Sequence, residues 1–120
     1  FLDVIVEEGE YSLFYFGGCY SHAIVKRPAK GDFRVQEEHG GQLATYTPEP
    51  SVLGIAQQAL DAMPADSLYA RVDVVRAKNG WAIMELELIE PSLYFNLDED
   101  APKRFVDAFI RYMQAHYRLV

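Results

Sequence analysis

Two alternating runs joined by a turn constrain this chain more than any other feature. Leu68–Arg76 and Trp81–Ile89 flank Lys78-Asn79-Gly80, which reads as a β-hairpin. Side chains alternate across a strand, so Arg71 and Asp73 share one face, as do Glu85 and Glu87. Val72, Val74, Met84, Leu86 and Leu88 take the other face, toward a core. A two-residue Asn-Gly loop would set Asp73 opposite Leu86, which points the wrong way. A three-residue loop with Gly80 left-handed at a bulge sets Asp73 opposite Glu85 and Arg71 opposite Glu87. The second register is expected, because a slip of one residue would carry the apolar set into solvent.

That register gathers three carboxylates around one guanidinium. Directly opposed acids repel and call for compensating charge, of which Arg71 supplies one unit. A hard divalent cation such as Mg2+ would supply the rest through oxygen ligands. The plain alternative is a solvated charged face with Arg71 as its only partner.

Arg71-Val-Asp73 followed by Glu85-Leu-Glu87-Leu-Ile-Glu-Pro91 resembles the closing motif of the ATP-grasp superfamily of carboxylate–amine ligases. Glu87 stands where most members carry asparagine, which keeps an oxygen ligand and adds a negative charge. The resemblance implies Asp73, Glu85 and Glu87 as ligands of magnesium, two ions in the family, on the phosphates of ATP. It implies Arg71 as the cation that steadies an acyl phosphate and the tetrahedral intermediate. Gly31-Asp-Phe33-Arg34-Val-Gln36, with Gly40-Gly41 after it, is similar to the Arg-x-Asn…Gly-Gly stretch of glutathione synthetase and the ribosomal-protein glutamate ligases. By that match Arg34 is a second catalytic cation, Gln36 replaces the usual Asn, and the glycine pair belongs to a mobile loop. Lys26 or Arg27 sits where the family presents a cation to the nucleotide phosphates or substrate. Glu10, in Glu8-Gly9-Glu10-Tyr11-Ser12, takes the place of the acid that bonds the ribose hydroxyls.

The resemblance runs in order from about Phe1 to Val106. It implies that residues 1–120 are a C-terminal fragment of an ATP-grasp domain, with the upstream part outside the chain. It also implies an α+β fold, an antiparallel sheet backed by two helices. The strand-hairpin, helix, strand-hairpin, helix order read from the pattern suggests the same architecture. Tyr11–Phe16 and Cys19–Arg27 read as strands around Gly17-Gly18, with a short extended piece at Asp32–Gln36 and another at Gln42–Tyr46. Thr47-Pro48-Glu49 reads as a helix start, with Leu53, Ala56, Leu60 and Met63 as its apolar stripe. A last helix opens at Asp98-Glu99-Asp100, with Phe105, Val106, Phe109, Ile110, Met113 and Tyr117 as its buried face.

Composition narrows the function classes. Eleven basic against 18 acidic residues give a formal charge of −7, which argues against nucleic acid or an anionic membrane as partner. The single cysteine, Cys19, allows no internal disulfide and fits a reducing, cytoplasmic compartment. No run of eighteen apolar residues appears. His22 and His116 read as structural or solvated, and so does His39, for which contact with substrate beside the glycine pair is the lesser alternative. No His/Cys set has zinc spacing and no Gly-x-Ser-x-Gly elbow is present.

Three functions compete on this evidence. The first is an ATP- and Mg2+-dependent ligase acting on a small carboxylate and an amine, the chain alone being inactive. The second is a metal-dependent hydrolase using the same acids, and the third is a non-catalytic acidic binding module. The apolar segment Phe1, Leu2, Val4, Ile5 and Val6 is a candidate edge for pairing. The chain is therefore expected to self-associate as a two-fold pair or strand swap. Light scattering at low micromolar concentration checks this, and a clean monomer overturns it.

Overall fold

The computed structural model describes residues 8–28, 42–63, 67–78, 80–88 and 95–116. The expectations for Phe1–Val6, Asp32–Gln36, Arg34, His39, Gly40-Gly41, Pro91 and Tyr117 lie outside these residues.

Strands β1 (Glu10–Phe16) and β2 (Cys19–Arg27) pair antiparallel across Gly17-Gly18, where φ is 59° and 80°. Two successive left-handed residues suit the twist of a tight hairpin, and glycine takes that conformation without a Cβ penalty. β3 (Gln42–Thr45), β4 (Tyr69–Ala77) and β5 (Gly80–Glu87) join them. The described strands form one antiparallel sheet in the order β3-β2-β1-β4-β5. β1 is central and buried along its whole length.

The two faces of the sheet are covered differently. Tyr11, Leu13 and Tyr15 of β1, Ala23 and Val25 of β2, and Ala70, Val72 and Val74 of β4 pack against helix α1 (Pro50–Asp61) through Val52, Ala56 and Leu60. Leu13, Val52, Ala56, Val72 and Val74 are sealed from solvent. Full burial of a side chain such as Leu13 contributes about 1.5–3 kcal/mol. Helix α2 (Ala101–His116) covers only one end of the opposite face, at Phe16 and its cross-strand partner Tyr69. The Phe16 and Phe105 rings meet edge to face at 5.3 Å. The expected antiparallel sheet with two helices is present, one helix on each face.

Four local expectations are corrected. Helix α1 starts at Pro50, and Thr47 is not its cap. Glu49 occupies the cap position at φ −75° and ψ 161° with no side-chain cap bond, because a residue before proline is pushed out of the helical region. Its buried stripe is Val52, Ala56 and Leu60, with Leu53 and Met63 only flanking it. In the second hairpin Ala77 pairs directly with Gly80, and the bulge lies farther on, where Met84 is the extra residue beside Asp73 and Val74. Met84 is consequently exposed, and Leu88, past the end of β5, is exposed as well.

The largest correction concerns α2. Ala101 and Ala108 are buried and Phe105 is half-buried, whereas Val106, Phe109 and Ile110 are 52%, 44% and 46% exposed. The helix meets the hairpin tip through Ala108, where a Cβ on Gly17 would make an ordinary van der Waals contact at 3.5 Å. The helix docks through Ala101, Phe105 and Ala108, which leaves the bulky stripe turned outward. Leu13→Ala should lower unfolding free energy by about 2–5 kcal/mol. Phe109→Ala should change it by no more than about 0.5 kcal/mol. Urea denaturation of both variants checks the order, and a larger loss at Phe109 would restore the face expected from periodicity.

Candidate active site

The face left open by α2 carries the polar residues. Pairing sets Lys26 beside Glu10, Ser12 beside Asp73, and Phe14 beside Arg71. It sets Asp73 opposite Glu85 and Arg71 opposite Glu87, as expected from the pattern. The result is one patch drawn from four adjacent strands.

Arg71 is its hub. The guanidinium grips Asp73 with two bonds, Nε to Oδ1 at 3.0 Å and Nη2 to Oδ2 at 2.8 Å. Nη2 also lies 2.8 Å from Oε2 of Glu87 and 3.8 Å from Oε2 of Glu85. Ser12 donates its hydroxyl to Asp73 Oδ1 at 2.6 Å. Asp73 is fully buried, whereas the Glu87 and Glu85 side chains are 29% and 54% exposed. Burial works against the Arg71 charge, but the hydrogen bond and charge of Asp73, then Glu87 and Glu85, outweigh it and hold its pKa above the ordinary value.

Glu10 and Lys26 lie on the same face, both buried, with Nζ 3.4 Å from Oε1. Burial raises the Glu10 pKa, Lys26 opposes that rise and neighbouring Asp73 adds to it. Glu85 is also raised, by desolvation and then by its contact with Glu87. Ser12 was not among the residues singled out by sequence, although its place two residues after Glu10 puts it on the same face. His22 is buried and stacks on Phe14 at 4.5 Å. Arg104 Nε donates to Ser21 Oγ at 2.9 Å, and the Ser21 hydroxyl and His22 Nδ1 share a hydrogen bond at 2.8 Å. His22 is thus a structural residue at the α2 end of this face.

No protein-family profile matches the chain. The cycloserine biosynthesis protein DcsG of Streptomyces lavendulae is 30% identical over 119 residues, an alignment that covers 90% of this chain and 39% of that protein. The crystal structure of D-cycloserine synthetase DcsG superposes with a TM-score of 0.78 at 27% identity, over 94% of this chain and 41% of that one. The ATP-grasp ligase PsnB, solved with Mg and ADP, superposes at 0.59 and 13% identity, over 82% and 32%. The chain has the ATP-grasp fold. D-alanine–D-alanine ligase from Bacillus anthracis shares the architecture at a TM-score of 0.57 and 19% identity, over 85% and 38%. The chain spans about two fifths of the length of the DcsG relative.

The donors on this ATP-grasp face suit a hard cation in part. Glu85 and Glu87 are accessible carboxylates crowded onto one guanidinium, and the Glu85 pKa is raised by desolvation and then by Glu87 and Asp73. Asp73 is occupied by Arg71 and Ser12. Among the described residues no group of three or more His, Cys, Asp or Glu is placed to hold a metal ion.

The folded state takes up the Glu85 proton more readily than an unfolded chain with the ordinary value of 4.5. Ionised Glu85 therefore costs stability that is absent below pH 4.5 and grows as pH rises through the folded pKa. Glu85→Gln should melt with the wild type at about pH 4 and above it at about pH 7. Thermal melts across that range check the sign, and a variant that is weaker at neutral pH overturns it.

Proposed function

We propose that the chain is the C-terminal catalytic part of an ATP- and Mg2+-dependent ligase that joins a small carboxylate to an amine through an acyl phosphate. The observation that carries this reading is the Arg71 hub on an open face of an ATP-grasp sheet, with three carboxylates around one guanidinium. Relatives named for D-cycloserine and D-alanine favour an amino-acid-like substrate.

In this reaction the substrate carboxylate oxygen attacks the γ-phosphorus of ATP and ADP leaves. The amine then attacks the acyl carbon, phosphate leaves, and the amine gives up a proton. Asp73 and Ser12 hold Arg71 in one orientation, so its positive charge is in place before phosphate charge develops. Lys26 adds a second cation on the same face, kept there by Glu10. The proposed nucleotide contacts of Glu10 and Lys26 require their mutual pair to open toward the ligand. Arg34 is proposed as a further cation toward substrate.

Glu85 and Glu87 are the residues that would hold magnesium, with Asp73 behind them fixing Arg71. Bound magnesium supplies neutralisation of phosphate charge.

Isothermal titration of the chain with Mg2+, with and without ADP, tests the reading. The expected result is magnesium binding that strengthens when ADP is present. Glu87→Gln should weaken it by about tenfold, or about 1.4 kcal/mol. Binding of metal alone with no effect of ADP favours a hydrolase, and no binding favours a non-catalytic module; either outcome overturns the proposal.

A further inference from the structure

A second concavity opens away from the carboxylate patch. It is a cleft of about 540 Å³ between the β1–β2 hairpin tip, the end of α1 and the last turns of α2. That volume lies within the range of small-molecule sites. Space comes from small residues, since Gly17, Gly18, Ala70, Ala108 and Ala115 all line it. Tyr15 and Ala70 project from the α1 face of the sheet, opposite to Asp73 and Glu85. The cleft is therefore separate from the proposed reaction site.

Two side chains of opposite charge and one phenol line this cleft, each able to meet a ligand group. Arg111 makes no ion pair or hydrogen bond among the described residues. Asp61 accepts one bond, from Gln57 Nε2 at 2.9 Å, and has no cationic partner among those residues. The two opposite charges line one cleft without pairing to each other. Tyr15 is mostly buried and lines the cleft, and its hydroxyl makes no hydrogen bond among the described residues. Burial pushes the pKa of that phenol up to about 12, so it remains an O–H donor. Leu60 and Met63 supply apolar wall beside it.

We infer that this cleft binds a zwitterionic small molecule of the amino-acid class with an apolar side chain. Arg111 and the Tyr15 hydroxyl receive the carboxylate, Asp61 receives the ammonium, and Leu60 and Met63 take the side chain. A separate cation and anion are what such a ligand requires, and an anion alone would be opposed by Asp61. Occupancy would bridge the hairpin tip to both helices, at a place distinct from the proposed reaction site.

The probe is free phenylalanine, titrated into the 15N-labelled chain and followed by amide chemical shifts. Saturable shifts should appear at Gly17, Gly18, Asp61, Met63 and Arg111, with little change at Asp73 or Glu85. Arg111→Gln and Asp61→Asn, both at exposed positions, should each weaken binding by about fivefold or more. Phenethylamine and 3-phenylpropionate, which carry one charge each, should bind more weakly than phenylalanine. No saturation up to about 10 mM overturns the proposal. Shifts centred on Asp73 and Glu85, or equal binding of a one-charge control, overturn it too. None of these readouts depends on ATP or metal, so failure here is distinguishable from failure of the ligase reading.

Discussion

The bidentate pair between Arg71 and Asp73 is the interaction on which the polar face of the sheet depends. Both residues lie two apart on β4, and both are buried. Removing one member of such a pair leaves an uncompensated buried charge and costs about 3–5 kcal/mol. Evidence of that constraint is visible in the surroundings. Ser12 is supplied by β1 to complete the Asp73 shell, and Glu87 by β5 to meet the other side of the guanidinium. The sheet must therefore hold three strands in one register for this charge arrangement to exist.

The division of the sheet follows from the same alternation that builds the pair. Odd-numbered β1 residues Tyr11, Leu13 and Tyr15 make the core with α1, while Glu10 and Ser12 turn toward Lys26 and Asp73. Farther along that second face Phe14 and Phe16 change the surface from polar to aromatic, and there α2 docks. One strand thus carries a core face, a charged half-face and a helix-docking end. This economy leaves room for the proposed reaction surface on one side and the proposed small-molecule cleft near the hairpin tip.

Charge separates the two places. On the open face, negative groups crowd a single guanidinium, an arrangement suited to a cation bearing phosphate. In the cleft, Arg111 of α2 and Asp61 at the end of α1 have no partner of opposite charge among the described residues. The first arrangement resolves by taking on positive charge, the second by taking on a ligand that carries both signs.

Much of this was legible in the chain itself. The alternation in β4 and β5 placed Arg71, Asp73, Glu85 and Glu87 on one face and gave their cross-strand pairing, because a period of two leaves no other face for the apolar set. Gly17-Gly18 marked the first hairpin because left-handed backbone favours residues without Cβ. Tertiary structure decided the rest. It moved the bulge from Gly80 to Met84, since either position restores the same register at the acids. It turned Val106, Phe109 and Ile110 outward, since helix periodicity reports an apolar stripe but not which face meets the sheet. It brought Ser12 to Asp73, 61 residues apart in sequence, and Arg111 and Asp61 to one cleft. Local pattern specifies which way a side chain leaves its strand. Only the packed sheet and helices specify what it meets.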